Sequence, residues 1–243
     1  MLRSPPLSTI IAGQGLPKID RGQGVYVWDA SGKQYIDGSG GPAVYSLGHG
    51  SPEVNAAIAD QLERVAHGYR YLFTSDPLEE LTDLIRARCG PELSDMVFVS
   101  GGSEAVESGL KLALQYHSAR GEPHRRRFIS RARSWHGNTL GALSVSDFFE
   151  RRAPFEGSLL DVSFVSAAND YRLPCEARKA AEFFAAELDG EIERRGASTI
   201  AAFIFEPVVG AAGGVVPAPP GYSRAVQEVC DRHGVLQIGR AHV

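Results

Sequence analysis

The stretch Met96-Val97-Phe98-Val99-Ser100-Gly101-Gly102-Ser103-Glu104-Ala105-Val106 predicts a short strand, a glycine turn and the start of a helix. Four apolar residues in a row are too few for a helix and favour a buried strand. Glycine permits the tight turn, and Val106, Leu110 and Ala113 then recur on one side of the predicted helix. Strand, turn and helix alternate in this way along the chain, which is typical of an α/β fold with a mainly parallel sheet flanked by helices.

The neighbouring segments follow the same two periodicities. Ala201–Phe205 is uniformly apolar, which predicts a parallel strand that is buried on both faces. Residues 25–37 predict a β-hairpin, and apolar residues at helical spacing predict helices that begin at Pro52 and Asp76 and a helix over residues 176–195. The remaining candidates are strands at 128–129, 162–165 and 235–236 and a helix that ends at Gly234.

Composition excludes several classes of partner. The chain has 243 residues and a formal net charge of -4, so we expect neither nucleic acid nor an anionic membrane as a partner. The basic triplet Arg125–Arg127 is interpreted as a solvated turn without function. Three widely spaced cysteines favour a reducing, cytoplasmic location over a disulfide framework, and none has metal-ligand spacing. No apolar run approaches the roughly 20 residues that span a bilayer.

The glycine turn is the first candidate site. The free N–H groups and the dipole of a helix N-terminus attract anions, and glycine at 101 and 102 lets a phosphate approach closely. The Ser103 hydroxyl adds a possible donor. The alternative is a glycine loop with a serine that only caps the helix.

Two further candidates follow predicted strands. Trp135, in the loop segment 134–139, offers a flat face for a planar ring, or else packs in the core or on the surface. Glu206 ends the apolar strand, and ligands of α/β sheets bind at the carboxyl ends of strands. The alternative for Glu206 is a carboxylate that caps a loop.

Taken together, these motifs resemble the class III (ω-amino acid) aminotransferases of fold type I, which depend on pyridoxal phosphate. The resemblance covers nearly the whole chain in five ordered blocks. These blocks are Gly24 to Asp37, Leu47-Gly48-His49, Ser100 to Glu107, Trp135 to Gly141, and Glu206-Pro207-Val208 with Gly213-Gly214 through Tyr222.

The resemblance implies pyridoxal 5'-phosphate as cofactor and six residues that bind it. Gly102 and Ser103 would hold the phosphate, and Trp135 would stack on the pyridine ring. His136 and Gly137 would complete that wall, and Glu206 would lie near the cofactor. The family also implies amino transfer from an amino donor to a keto acid, and a homodimer.

The family chemistry needs an aspartate at the pyridine nitrogen and a lysine that forms the Schiff base. Arg240 stands about where the aspartate is expected, and none of the four lysines lies in the family's lysine loop, so no catalytic residue is assigned. We therefore expect a C-terminally truncated and inactive chain. The lysines are Lys18, Lys33, Lys111 and Lys179.

The expected organisation has three segments. Residues 1–50 would form an N-terminal arm and a small-domain hairpin segment, residues 51–236 a partial cofactor-binding large domain, and residues 237–243 a non-native tail. Two alternatives to an aminotransferase remain: an aminomutase or decarboxylase of the same superfamily, and a non-catalytic fragment.

Overall fold

A computed structural model describes residues 16–38, 40, 45–90 and 93–239. The chain divides into two compact units, Met1–Met96 and Val97–Val243. Arg240 and the rest of the expected tail after Gly239 lie outside the described residues. The segment boundaries near residues 50 and 236 stay predictions.

The first unit contains a small antiparallel sheet and two helices. Strands β1 (Ile19–Gln23), β2 (Tyr26–Asp29) and β3 (Gln34–Ile36) pair in that order. The pairing of β2 with β3 confirms the predicted hairpin. Helices α1 (Pro52–Arg64) and α2 (Asp76–Cys89) begin where the sequence predicts, each with a proline in its first turn.

A single carboxylate organises the hairpin turn. Asp29 Oδ1 accepts hydrogen bonds from the Ser31 N–H at 2.9 Å, the Ser31 hydroxyl at 2.6 Å and the Lys33 N–H at 3.1 Å. Its Oδ2 accepts from the Tyr35 hydroxyl at 2.7 Å. The hydrogen bonds from the Ser31 and Tyr35 side chains favour the ionised carboxylate and lower the pKa of Asp29 from 3.8 to about 2.

The apolar faces of α1 and α2 are exposed. All residues of both helices are described, and none of them is buried. Val54, Ile58 and Leu62 of α1, which share one face, are 37%, 55% and 59% exposed. The predicted amphipathic pattern is therefore present, and the described residues of the first unit leave this face uncovered.

The second unit is the α/β part and confirms the predicted fold class. Its central sheet has four parallel strands in the order β5-β4-β6-β9. The strands are β4 (Arg127–Arg131), β5 (Val162–Val165), β6 (Ile200–Phe205) and β9 (Leu236–Gly239), with a short antiparallel pair, β7 (Val208–Val209) and β8 (Val216–Pro217). The helices are α3 (Gly102–Ala119), α4 (Leu140–Ser144), α5 (Phe149–Arg152), α6 (Ala180–Arg195) and α7 (Tyr222–His233), and 3-10 turns span Ala153–Ser158, Asp170–Arg172, Ala177–Lys179 and Ala197–Thr199.

Strand β6 lies at the centre of the core. All six of its residues are buried, as the apolar run predicts. Phe203 and Phe205 belong to the hydrophobic cluster formed with α6 and α7, whereas Ala202 and Ile204 belong to the cluster formed with α3. Alternate side chains of β6 thus serve both faces of the sheet.

The prediction of a strand at Met96–Val99 is wrong. The structure has no strand there, and Val97, Phe98 and Val99 are between 39% and 67% exposed. A strand is defined by hydrogen bonds to a neighbour, and no described strand pairs with this segment. The helix that follows, α3, is confirmed, with Val106, Leu110 and Ala113 buried.

The interpretation of Arg125–Arg127 as a solvated turn is also wrong for its first residue. Arg125 donates from Nη1 to the carbonyl oxygens of Ala197 and Ile200, each at 3.0 Å, and from Nη2 to that of His233 at 3.0 Å. Backbone carbonyls at the ends of three elements need donors, and this side chain supplies them. None of the described helices is both long and apolar enough to cross a membrane.

Candidate functional site

The N-terminus of α3 presents helix N–H groups for which the described residues supply no side-chain cap. Gly101, at the N-cap position, has no side chain that could accept a hydrogen bond from the first turn, and Gly102 is exposed. The Glu104 carboxylate turns back to accept from the Ser100 N–H at 2.8 Å. The remaining N–H groups and the dipole of this 18-residue helix make its end suitable for an anion.

Ser103 and the Trp135 loop meet at this helix end. The Ser103 Oγ accepts a hydrogen bond from the Asn138 N–H at 2.9 Å. Gly137 has φ of 147°, and a Cβ on this residue would lie 2.6 Å from Ser103 Oγ and 2.9 Å from the Ala142 Cβ. Only glycine therefore fits at position 137. The structure brings Ser103 and Gly137, two of the predicted residues, into direct proximity.

A second contact joins the Trp135 loop to the end of β6. The Trp135 N–H donates to the Glu206 Oε2 at 3.3 Å, and the Glu206 side chain is fully buried. The Trp135 ring is half-buried, with Phe148 edge-on at 5.9 Å between centroids and the Arg151 guanidinium 4.8 Å from the ring centroid. Trp135 and Glu206 thus lie together at the carboxyl edge of the sheet.

His136 lies behind this loop rather than on its surface. Its side chain is fully buried, and Nε2 is 3.3 Å from the Ser130 hydroxyl. The backbone N–H of His136 donates to the Ser146 hydroxyl at 2.8 Å. These contacts fix the backbone on which Trp135 and Gly137 stand.

Glu107 contributes to the site without having been singled out from the sequence. Its Oε1 accepts hydrogen bonds from the N–H groups of Gly141 at 2.9 Å and Ala142 at 3.2 Å, at the start of α4. A Cβ on Gly141 would clash with this carboxylate. The signal available in the sequence was spacing, because a residue four positions after Ser103 lies on the same face of a helix.

Arg131 is the other residue that sequence reasoning missed. It is 3% exposed and donates from Nη2 to the Glu206 carbonyl oxygen. Its guanidinium lies over the rings of Phe205 and Tyr222, at 5.4 and 5.2 Å from their centroids. Burial raises the pKa of Tyr222 to about 12, so this phenol stays neutral beside the cation. Arg131 therefore supports the backbone that carries Glu206.

The geometry combines three chemical functions at one edge of the sheet. The α3 N-terminus suits an anion, the Trp135 ring suits a flat aromatic group, and Glu206 supplies a buried carboxylate. The model of the family described as Aminotransferase class-III matches residues 12–239 of this chain.

The chain belongs to the class-III aminotransferases. Enzymes of this family depend on pyridoxal phosphate, so the cofactor predicted from the resemblance is confirmed for the family. The residues present fit such a group in two respects: the N–H groups of the α3 N-terminus can donate hydrogen bonds to a phosphate, and the half-buried ring of Trp135 can stack on a pyridine.

Individual relatives support the assignment. The chain is 40% identical over 223 residues to the uncharacterized aminotransferase YodT of Bacillus subtilis (strain 168), covering 91% of this chain and 50% of that protein. It is 33% identical to an adenosylmethionine-8-amino-7-oxononanoate aminotransferase of Geobacter sulfurreducens, covering 90% and 49%.

Solved structures agree. The (S)-enantioselective ω-transaminase from Thermomicrobium roseum superimposes with a TM-score of 0.87 at 33% identity, covering 98% of this chain and 53% of that one. The ω-transaminase from Pseudomonas jessenii, solved in complex with PMP, also gives a TM-score of 0.87, at 28% identity. The chain spans about half the length of the relatives it matches.

Proposed function

We propose that the protein to which this chain belongs transfers an amino group from an amino donor to a keto acid, and that this chain supplies the phosphate cradle and the ring-stacking wall for pyridoxal phosphate. The observation that carries the proposal is the hydrogen bond between Ser103 and Asn138. It joins the anion-binding end of α3 to the loop that carries Trp135.

Each of the six residues has a role in this proposal. Gly102 and Ser103 hold the phosphate through N–H groups and the hydroxyl. Trp135 stacks on the pyridine, and the Arg151 guanidinium lies 4.8 Å from the centroid of the Trp135 ring. His136 holds the wall from behind, and Gly137 permits the close approach to Ser103. Glu206, buried beside the Trp135 N–H, adds negative charge next to the ring. When bound, the cofactor supplies the carbonyl that carries the amino group.

Tryptophan fluorescence tests the cofactor site. The chain has two tryptophans, and Trp28→Phe leaves Trp135 as the reporter. We expect pyridoxal phosphate to quench the Trp135 emission with saturation, and pyridoxal, which lacks the phosphate, to quench far less at the same concentration. Ser103→Ala should weaken binding by roughly tenfold, because it removes a donor to a charged group. If pyridoxal and pyridoxal phosphate quench equally, the phosphate group contributes nothing to binding, and the proposed phosphate cradle is contradicted.

Amino transfer itself is tested on the full-length gene product. Net transfer from an amino donor to pyruvate or 2-oxoglutarate supports an aminotransferase. Product formation without a keto acid, by migration of the amino group or loss of carbon dioxide, would instead support an aminomutase or a decarboxylase. The two relatives described as aminotransferases above favour the first outcome.

A homodimer is part of the proposal. The support is the exposed apolar face of α1, formed by Val54, Ile58 and Leu62, which is typical of a surface that is covered by a partner. Sedimentation analysis at increasing concentration measures the state directly. We expect a dimer, and Ile58→Asp should shift the equilibrium toward the monomer.

We also infer a cytoplasmic location. The three cysteines, all of them described, are free thiols: Cys89 is exposed, Cys175 is partly buried and Cys230 is buried. Free thiols are typical of reducing compartments. Fractionation of cells that express a tagged protein tests this inference.

A further inference from the structure

A cavity of about 390 Å³ opens at the carboxyl ends of β4 and β5, next to the β7–β8 pair. None of the six residues of the candidate cofactor site lines it. Its volume falls in the range of small-molecule sites, which is about 300–1,000 Å³. The cavity is therefore a second concave site on the same edge of the sheet.

The polar lining of the cavity is cationic. Arg131 and Arg133 contribute to the wall, and no carboxylate does. Arg131 is buried, with its guanidinium held over Phe205 and Tyr222 as described above. The Arg133 side chain is exposed, and among the described residues it takes part in no ion pair; only its backbone N–H is bound, to Asp147 Oδ2 at 2.9 Å. Among the described residues, Arg133 thus offers the cavity a guanidinium without an ion-pair partner, and Arg131 contributes a buried positive charge.

Asn169 adds a neutral donor to the two arginines. The Asn169 Oδ1 accepts a hydrogen bond from the Tyr171 N–H at 3.0 Å. This bond directs the carbonyl side of the amide into the turn and leaves the amide NH₂ as a donor. Tyr171 also lines the cavity, and the remaining wall, including Ala168, Val209 and Val216, is small and apolar.

The backbone around the cavity is in an unfavourable conformation. Arg133 has φ of 55° and Val215 has φ of 59°, and they are the non-glycine residues with positive φ in the described part of the chain. Arg133 lines the cavity, and Val215 stands between Gly214 and the lining residue Val216. Side chains in left-handed backbone are costly, and such residues cluster at binding sites.

We propose that this cavity binds a small carboxylate with a short aliphatic chain. Arg133 forms the charged contact, the Asn169 amide adds a second donor, and the aliphatic chain lies against Ala168, Val209 and Val216. A guanidinium matches the two oxygens of a carboxylate. The apolar wall favours this ligand over an inorganic anion, which has no apolar part to bury.

Titration calorimetry of the 243-residue chain tests the proposal with three probes of similar size. We expect saturable binding of butyrate, no binding of n-butylamine, and weaker binding of inorganic phosphate at matched ionic strength. Arg133→Gln should weaken butyrate binding by roughly tenfold or more, since a charge-assisted contact is lost. Arg126→Gln, an exposed arginine away from the cavity, is the matched control and should leave the affinity unchanged.

Two glycine variants separate binding from folding. Arg133→Gly removes the cation but suits the positive φ, so the affinity should fall while the melting temperature does not. Val215→Gly relieves the backbone without changing charge, and the affinity should stay within about twofold. Unchanged butyrate affinity in both Arg133 variants, equal affinity for phosphate, or displacement of butyrate by pyridoxal phosphate would each overturn the proposal.

Discussion

The Ser103 hydroxyl oxygen accepts a hydrogen bond from the Asn138 N–H across 35 positions of sequence. The contact depends on Gly137, because any Cβ at that residue would overlap Ser103. Glu107, one helical turn after Ser103, adds two further bonds from the start of α4. The N-terminus of α3 and the Trp135 loop are therefore joined as one part, which would fix the distance between the proposed phosphate cradle and the proposed stacking wall.

Gly137→Ala should disrupt this connection. The substitution combines an unfavourable φ of 147° with a Cβ 2.6 Å from Ser103 Oγ. We expect the free energy of unfolding to fall by roughly 2–4 kcal/mol in urea titrations. The matched control is Gly190→Ala on α6, where a Cβ meets nothing within 4 Å; helix propensity should there raise stability by about 0.5–1 kcal/mol. Equal effects of the two variants would contradict the steric argument.

Glu107→Ala should destabilise the junction of α3 with α4. The variant leaves the N–H groups of Gly141 and Ala142 without their acceptor, which costs about 1–3 kcal/mol of unfolding free energy. Glu107→Gln keeps an acceptor oxygen and should recover much of that loss. Urea unfolding followed by far-UV circular dichroism measures both. If the glutamine variant is as unstable as the alanine variant, negative charge rather than hydrogen bonding is what α4 requires.

Arg125→Met should be strongly destabilising. The change removes three hydrogen bonds, to the carbonyl oxygens of Ala197, Ile200 and His233, and keeps most of the side-chain volume. We expect a loss of about 3 kcal/mol in unfolding free energy. Arg126→Met is the neighbouring control: among the described residues that exposed side chain donates only to the Pro123 carbonyl oxygen, and the loss of unfolding free energy should stay within about 0.5 kcal/mol. Similar losses of unfolding free energy in the two variants would show that the three hydrogen bonds of Arg125 add no more stability than the single bond of Arg126.

Asp29 should make the hairpin of the first unit sensitive to acid. Its pKa of about 2 in the folded chain lies below the ordinary 3.8, so the unfolded chain binds the proton first as pH falls. The contribution of Asp29 is then complete above about pH 4 and is lost progressively between pH 4 and pH 2.

Trp28, which precedes Asp29 on β2, reports this transition in a Trp135→Phe background. We expect Asp29→Asn to flatten the dependence of the urea midpoint on pH between pH 5 and pH 2.5. Asp20→Asn, at an exposed carboxylate of β1, should leave the slope unchanged. An unchanged slope for Asp29→Asn would contradict the assigned pKa.

Local patterns predicted those elements whose sequence carries its own periodicity. The apolar run of β6 gave both its strand conformation and its full burial, because a parallel strand covered on two faces needs an unbroken apolar stretch. Met96–Val99 has the same local pattern and forms no strand. What differs is the availability of a pairing neighbour, which is a tertiary property that no local pattern contains.

In the candidate site, too, local sequence patterns predicted individual residues but not the tertiary contacts between them. Glycine turns and strand ends pointed to Ser103, Trp135 and Glu206, but not to the contacts that join them. The Trp135–Glu206 bond spans 71 positions, and the Arg131 bond to the Glu206 carbonyl spans 75. Arg131 in particular has no distinguishing context in the sequence, since its role depends on the ring of Tyr222 and the end of β6 lying next to it.

The strand order β5-β4-β6-β9 has a consequence for synthesis of the protein. β4 pairs with β6 from Arg127↔Ile200 onward, so about 70 residues separate the two partners. At roughly 5–20 residues per second, the ribosome exposes β4 on the order of 10 s before its second neighbour exists. During that interval the backbone edge of β4 that later pairs with β6 has no partner strand. We expect nascent chains arrested near residue 190 to engage chaperones, and chains arrested well beyond residue 240 to release them.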